Sequence, residues 1–248
     1  MMKNLAIILL VVLGFTSCKD DEEEMFTSIQ VNLEFAHVLN GEALELDGKA
    51  YNLPSGESFT PSKFKYYISN ITFENSETGN TYFVADGYYL IDEAGKKEIT
   101  FEVPAGSYDK LSYYVGIDKE RNLSTDQVGD LDPSNDMVWS WKTGYKFLVL
   151  EGEWEYESSD RRGLVIHIGN NDPETEVNFK EFSFDLSSEG LTLGSEAMVD
   201  LDIEAEISSL FTGDTELVVH ELESTSIMGG PLAISVANNY QINLFSIK

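Results

Sequence analysis

MVDLDIEAEIS, residues 198–208, is the stretch that decides the fold. Val199, Leu201, Ile203, Ala205 and Ile207 alternate with Asp200, Asp202, Glu204 and Glu206. Period-two alternation puts the two sets on opposite faces of an extended chain, one against a core and one in water. This reads as a one-sided antiparallel strand whose acidic row solvates its outer face.

The same rule extends outward. In SIQVNLEFAH (residues 28–37) Ile29, Val31, Leu33 and Phe35 share a side, and the phase puts His37 there too. TPSKFKYYISNITFE (60–74) is apolar on both sides and predicts a strand buried on both faces. LVIHIG (164–169) places His167 in phase with Val165, and further strands are read at 81–85, 87–92, 99–103, 111–117 and 182–186. Residues 118–137 form the longest irregular segment, in which Asp132-Pro133 marks a turn or capped helix start, and residues 153–162 read as a charged loop. Residues 231–240, after Gly229-Gly230, are the best helix candidate. No fixed-period repeat or Gly/Ser linker divides the chain, so the expected fold is all-β. It is a single antiparallel β-sandwich with long connecting loops and a short C-terminal helix.

The richest segment is GDLDPSNDMVWSWKTGYKFLVLE, residues 129–151. As one strand it would point Met137, Trp139 and Trp141 to a single side, where core filling is the ordinary role of such residues.

The N-terminus carries an address. Lys3 precedes the apolar run LAIILLVVLGF (5–15), too short to span a bilayer, and FTSC (15–18) resembles a bacterial lipobox. The expected division is a lipoprotein signal peptide over 1–17, lipidated Cys18 with an acidic tether over 18–27, and one domain over 28–248. Anchoring would be by acyl chains on Cys18, at the outer membrane and facing the cell surface. Cys18 is the only cysteine, so no internal disulfide forms. The chain has a net charge of −28. Removal of residues 1–17 takes away only Lys3, leaving 15 basic against 44 acidic residues, a net −29. Such a surface repels nucleic acid.

No HExxH, CxxC, GxSxG or phosphate-binding loop is present, so no enzyme is expected. The histidines are His37, His167 and His220, the last read as a surface residue. Imidazole and thioether donors suit copper better than calcium or magnesium. The loop over 118–136 is rich in oxygen donors, but it lacks EF-hand spacing and calcium is not expected there.

VNLEFAHVLNGEAL, KFKYYISNITF, DGYYLIDEA, VPAGSYDKLSYYVGID, the run over 121–152, LVIHIG and VANNY together resemble the MbnP-like family of exported copper-binding proteins. That family is associated with methanobactin systems and widespread as Bacteroidetes lipoproteins. The resemblance implies a β-sandwich that binds copper. His37 and His167 would be ligands, Met137 a soft donor, and Trp139 or Trp141 an adjacent residue oxidised to kynurenine. It implies as partners a dihaem cytochrome c peroxidase-like protein and outer-membrane transport proteins. The pair here is WxW with no WxH, and no histidine follows residue 220. The alternative is a metal-free adhesion or glycan-binding surface module stacking sugars on Tyr88, Tyr89, Tyr113 and Tyr114.

Overall fold

The computed structural model describes residues 28–124, 127–140, 144–157, 160–170, 175–187, 192–193 and 198–248. The expected signal peptide, Cys18, the tether and Trp141 lie outside these residues.

The central strand, Ser58–Glu74, runs through a nine-stranded sheet. On one side it pairs with Leu148–Glu155, which pairs with Arg162–Ile168; elsewhere it pairs with Tyr88–Asp92 and Lys110–Val115. Pro61 has no N–H to give a ladder, and the strand tolerates it at a bulge where the register shifts opposite Gly152. A Cβ on Gly152 would lie 2.4 Å from the Thr60 carbonyl oxygen, so the close approach there requires glycine.

The second sheet has five strands and is built on Ser28–Leu39, flanked by Glu98–Pro104 and Met198–Glu206. Val31, Leu33, Phe35, Leu201 and Ile203 meet Phe64, Tyr66, Ile68, Leu150 and Ile166 in one core. The helix Gly230–Asn243 closes it with Ala233, Val236, Ala237 and Tyr240, and extends the expected helix at both ends.

The β-sandwich holds, with corrections of detail. Met198–Glu206 is antiparallel to Phe245–Ile247 on one side but parallel to Ser28–Leu39 on the other, in register from Gln30↔Met198 to Val38↔Glu206. Alternation specifies the face a side chain takes but not the neighbour its backbone finds. The charged loop expected over 153–162 is narrower, since strands run to Glu155 and resume at Arg162. Within residues 129–151 the part before Met137 is irregular as expected, but the part from Met137 onward is not one continuous strand. Two 3-10 turns, Gly129–Leu131 and Pro133–Asn135, precede a short hairpin pairing Val138–Ser140 with Gly144–Tyr145. Asp132 caps the second turn, accepting from the Ser134 N–H at 2.8 Å, as its place before proline predicts.

This segment lies over the outer face of the nine-stranded sheet. Leu131, Met137, Tyr145 and Phe147 bury against Tyr67, Leu90, Ile117 and Val149 in a second apolar cluster. The sheet is therefore covered on both faces, which explains why Ser58–Glu74 is apolar on both.

On the five-stranded sheet the acidic row is partly engaged. Asn32 donates to Asp200, Lys248 pairs with Glu204, and Glu206 accepts from the Asn40 and Gly41 N–H groups. Glu34 is the exception, standing in register between Glu98 and Asp202 on neighbouring strands, with all three exposed. Like charges directly opposite are destabilising. Glu34→Gln is expected to raise stability by about 0.2–1 kcal/mol at low ionic strength. Thermal unfolding at low and high salt checks this: the gain should shrink with salt as the repulsion is screened.

Candidate metal centre

Register decides where each expected ligand sits. Tyr66, Leu148 and Ile168 are aligned across three strands and face the core, whereas Lys65, Val149 and His167 are aligned one residue earlier and face outward. His37 extends from the opposite sheet into the core side, with its ring 4.9 Å from Phe64 and 5.5 Å from Tyr66. The two imidazoles thus lie on opposite faces of the nine-stranded sheet. The strand carrying His167 is two spacings, about 9–10 Å, from the one His37 packs on. Ligands of one ion each approach to about 2 Å. The expectation that His37 and His167 share an ion is corrected by the sheet that stands between them.

Their bonding differs as much as their placement. His37 Nδ1 lies 2.7 Å from Glu93 Oε2, and Nε2 lies 2.9 Å from the Tyr66 hydroxyl. A carboxylate only accepts, so Nδ1 carries the proton and Nε2 accepts from Tyr66 O–H. Both nitrogens are used, as in a structural core histidine.

His167 has one nitrogen used and one open. Its Nε2 lies 2.8 Å from Glu151 Oε1 and by the same reasoning donates a proton. Nδ1 then holds a lone pair, is buried, and has no hydrogen-bond partner among the described residues. A carboxylate that accepts the hydrogen bond of one ring nitrogen in this way fixes the tautomer and leaves the other nitrogen able to bind a metal. Burial pushes the His167 pKa down, and nearby Lys146 and Lys63 add to the effect, outweighing the bond to Glu151. The ring is therefore neutral at pH 7. For Glu151, burial raises the pKa, but the His167 bond and Lys63 overcome it and the net shift is downward. Lys63 bridges Glu151 at 3.4 Å and Asp136 at 3.2 Å, and Lys146 Nζ donates to the Asp136 carbonyl at 2.9 Å.

The outer layer brings two further expected residues to this face. Met137 is buried, and its carbonyl accepts from the Lys146 N–H at 2.7 Å. Trp139 is half-buried against Gly169, just beyond the His167 strand. A Cβ on Gly169 would lie 2.8 Å from Trp139 Cζ3 and 2.5 Å from the Tyr145 carbonyl oxygen. Gly169 is two residues past His167, a rise of about 6–7 Å along an extended chain. Among the described residues, no group of three or more His, Cys, Asp or Glu side chains is placed to hold a metal ion. The residues present fit a bound metal at one nitrogen donor, His167 Nδ1; Met137 is buried in the apolar layer over the same face of the sheet.

Other expectations resolve differently. His220 is not a free surface residue: it stacks on Tyr156 at 3.7 Å and its Nδ1 lies 2.6 Å from the fully buried Glu57 carboxylate. Sequence reasoning missed this pairing because Glu57 reads as a loop residue beside Ser55 and Gly56. Tyr88, Tyr89, Tyr113 and Tyr114 do not form an exposed aromatic patch. Tyr113 is fully buried, Tyr114 stacks on Phe179 at 4.3 Å, and Tyr88 bonds the Asp118 carboxylate. In the acidic loop, Asp118 caps a helical turn and Asp130 accepts from the Leu90 N–H and Lys96.

Two outcomes follow for stability. Gly169→Ala forces Trp139 or the Tyr145 backbone to move and is expected to cost about 1–3 kcal/mol, with a change in tryptophan emission. His167 and Glu151 both have lowered folded-state pKa values, so the unfolded chain binds protons first as the pH falls. Stability contributed by these groups is present above their unfolded values and lost on acidification, below about 6.5 for His167 and about 4.3 for Glu151. Urea unfolding from pH 8 to 5 is expected to show the first loss in wild type, and a shallower one in His167→Gln.

The model of the MbnP family matches residues 28–228. Among solved structures, MbnP from Methylosinus trichosporium superimposes with a TM-score of 0.56 at 16% sequence identity, covering 84% of this chain and 83% of that one. This second likeness bears on the fold. No curated protein sequence matches the chain significantly. With four-fifths of its length under the family model and a sandwich like that of the solved member, the chain belongs to the MbnP family.

Proposed function

We propose that this protein is a surface-anchored lipoprotein that binds copper on the outer face of its nine-stranded sheet, for copper acquisition or handling. The observation that carries the reading is His167 Nδ1, a buried lone pair with no partner among the described residues, in an imidazole whose tautomer Glu151 sets. Leaving such a group unpaired costs about 1–3 kcal/mol, which coordination would recover. Met137 adds a thioether of matching softness.

Copper bound there would supply a soft, redox-capable centre. This chain's own part is to keep Nδ1 deprotonated, to hold the ring through Glu151, and to exclude water with the layer that carries Met137 and Trp139. The Lys63 and Lys146 ammonium groups beside His167 disfavour a hard dication more than a soft monovalent one. Trp139, half-buried against Gly169, or Trp141, which lies outside the described residues, would be the residue for the oxidation to kynurenine that family resemblance implies. The dihaem peroxidase-like and outer-membrane transport partners, and the anchor on Cys18, belong to the same proposal.

Copper titration of the lipid-free chain tests it. His167→Ala is expected to weaken binding by at least about tenfold, whereas His37→Ala, if folded, leaves affinity nearly unchanged. Binding should persist below the ordinary histidine pKa of about 6.5, because the His167 value is lowered. Equal uptake by His167→Ala and wild type would remove the assignment.

A further inference from the structure

The core side of the nine-stranded sheet holds a separate arrangement that the copper reading does not use. Tyr66 and Tyr113 are both fully buried phenols in one aromatic cluster, each with its ring 5.5 Å from Phe245. They differ in a single respect. The Tyr66 hydroxyl donates to His37 Nε2 at 2.9 Å, and His37 Nδ1 in turn donates to Glu93 at 2.7 Å. The Tyr113 hydroxyl has no hydrogen-bond partner among the described residues. Glu93 reaches the surface, its side chain 12% exposed and 3.5 Å from Lys97.

A phenol oxidised by one electron becomes a strong acid and must pass its proton to a base at once. In water the solvent takes it. Among the described residues, the rings that pack on Tyr66 are those of Phe35, Phe64, Phe245 and His37, and of these only the imidazole can take a proton. Burial raises the pKa of both phenols far above its usual value, so neither loses a proton before losing an electron. Tyr66 has a proton acceptor in place, whose protonated form Glu93 stabilises across a charge-assisted bond. Tyr113 has none.

We propose that Tyr66, with His37 as its proton acceptor and Glu93 behind it, is a redox-active tyrosine that forms a stable neutral radical. The Tyr66 O–H bond breaks, a new N–H bond forms at His37 Nε2, and the electron leaves to a one-electron oxidant at the protein surface, of the class of high-potential metal complexes. The products are a neutral Tyr66 phenoxyl radical, a His37 imidazolium held by the Glu93 carboxylate, and the oxidant reduced by one electron. Return of an electron brings the proton back along the same bond. The surrounding phenylalanine rings exclude water and prolong the radical.

The test uses the lipid-free chain with ring-deuterated tyrosine, oxidised by flash-quench ruthenium(III) tris(bipyridine), with radicals followed by electron paramagnetic resonance. Wild type is expected to show a tyrosyl radical that outlives those of exposed tyrosines and forms more slowly in deuterated water. The long-lived signal should disappear in Tyr66→Phe, which removes only a hydroxyl, and persist in Tyr113→Phe. Glu93→Gln, which keeps the side chain's shape but removes its charge, should shorten its lifetime. Survival of the long-lived signal in Tyr66→Phe, its loss in Tyr113→Phe, or an unchanged lifetime in Glu93→Gln would overturn the proposal. Copper need not be present, so the result is independent of the His167 site.

Discussion

Both candidate chemistries in this molecule depend on the alternation of side chains along Ser58–Glu74, the strand paired with it at Leu148–Glu155, and the next at Arg162–Ile168. Lys65, Val149 and His167 are in register across three strands, and Tyr66, Leu148 and Ile168 are in register one residue later. A one-residue slip would exchange the two sets, sending charged groups into the core and aromatic ones out of it. The apolar layers on both faces fix the register against such a slip. Two chemistries follow from that one constraint. An imidazole with an open nitrogen stands on the outer face, and an imidazole with both nitrogens committed stands on the inner one.

The charges are placed with the same economy. The chain has 16 basic residues against 44 acidic ones, yet two lysines, Lys63 and Lys146, flank His167. They neutralise Glu151 and Asp136, which would otherwise draw hard cations indiscriminately to this face. The strongly acidic exterior and the balanced interior of the candidate centre are thus different environments. Net charge says little about which metal the centre suits.

How much was legible in the sequence follows from which physical rule each feature obeys. The strands at 28–37, 60–74 and 198–208 were legible because alternation reports directly on burial. The same rule placed His37 on an apolar face and His167 in phase with Val165, both as found. Pairing was not legible, since no local pattern says that Val38 lies beside Glu206 in a parallel ladder. Hence the two histidines seemed able to meet. The hairpin inside residues 129–151 was hidden because its aromatic residues look like strand residues. Ahead of it, the left-handed Asp136, at φ 62°, and the turns capped around Asp132 set where its first strand begins. His220 was misread because its partner, Glu57, lies far away in sequence, where it is buried and accepts hydrogen bonds from Ser55 and His220.

The proposed metal-binding face and the core histidine are separate. Histidine-selective ¹⁵N and ¹³C NMR during a copper(I) titration of the lipid-free chain tests this separation most directly. The account predicts that the His167 resonances move, with the change at Nδ1, while those of His37 stay in place. Movement of both histidines together at one equivalent of copper, or of His37 alone, would contradict it.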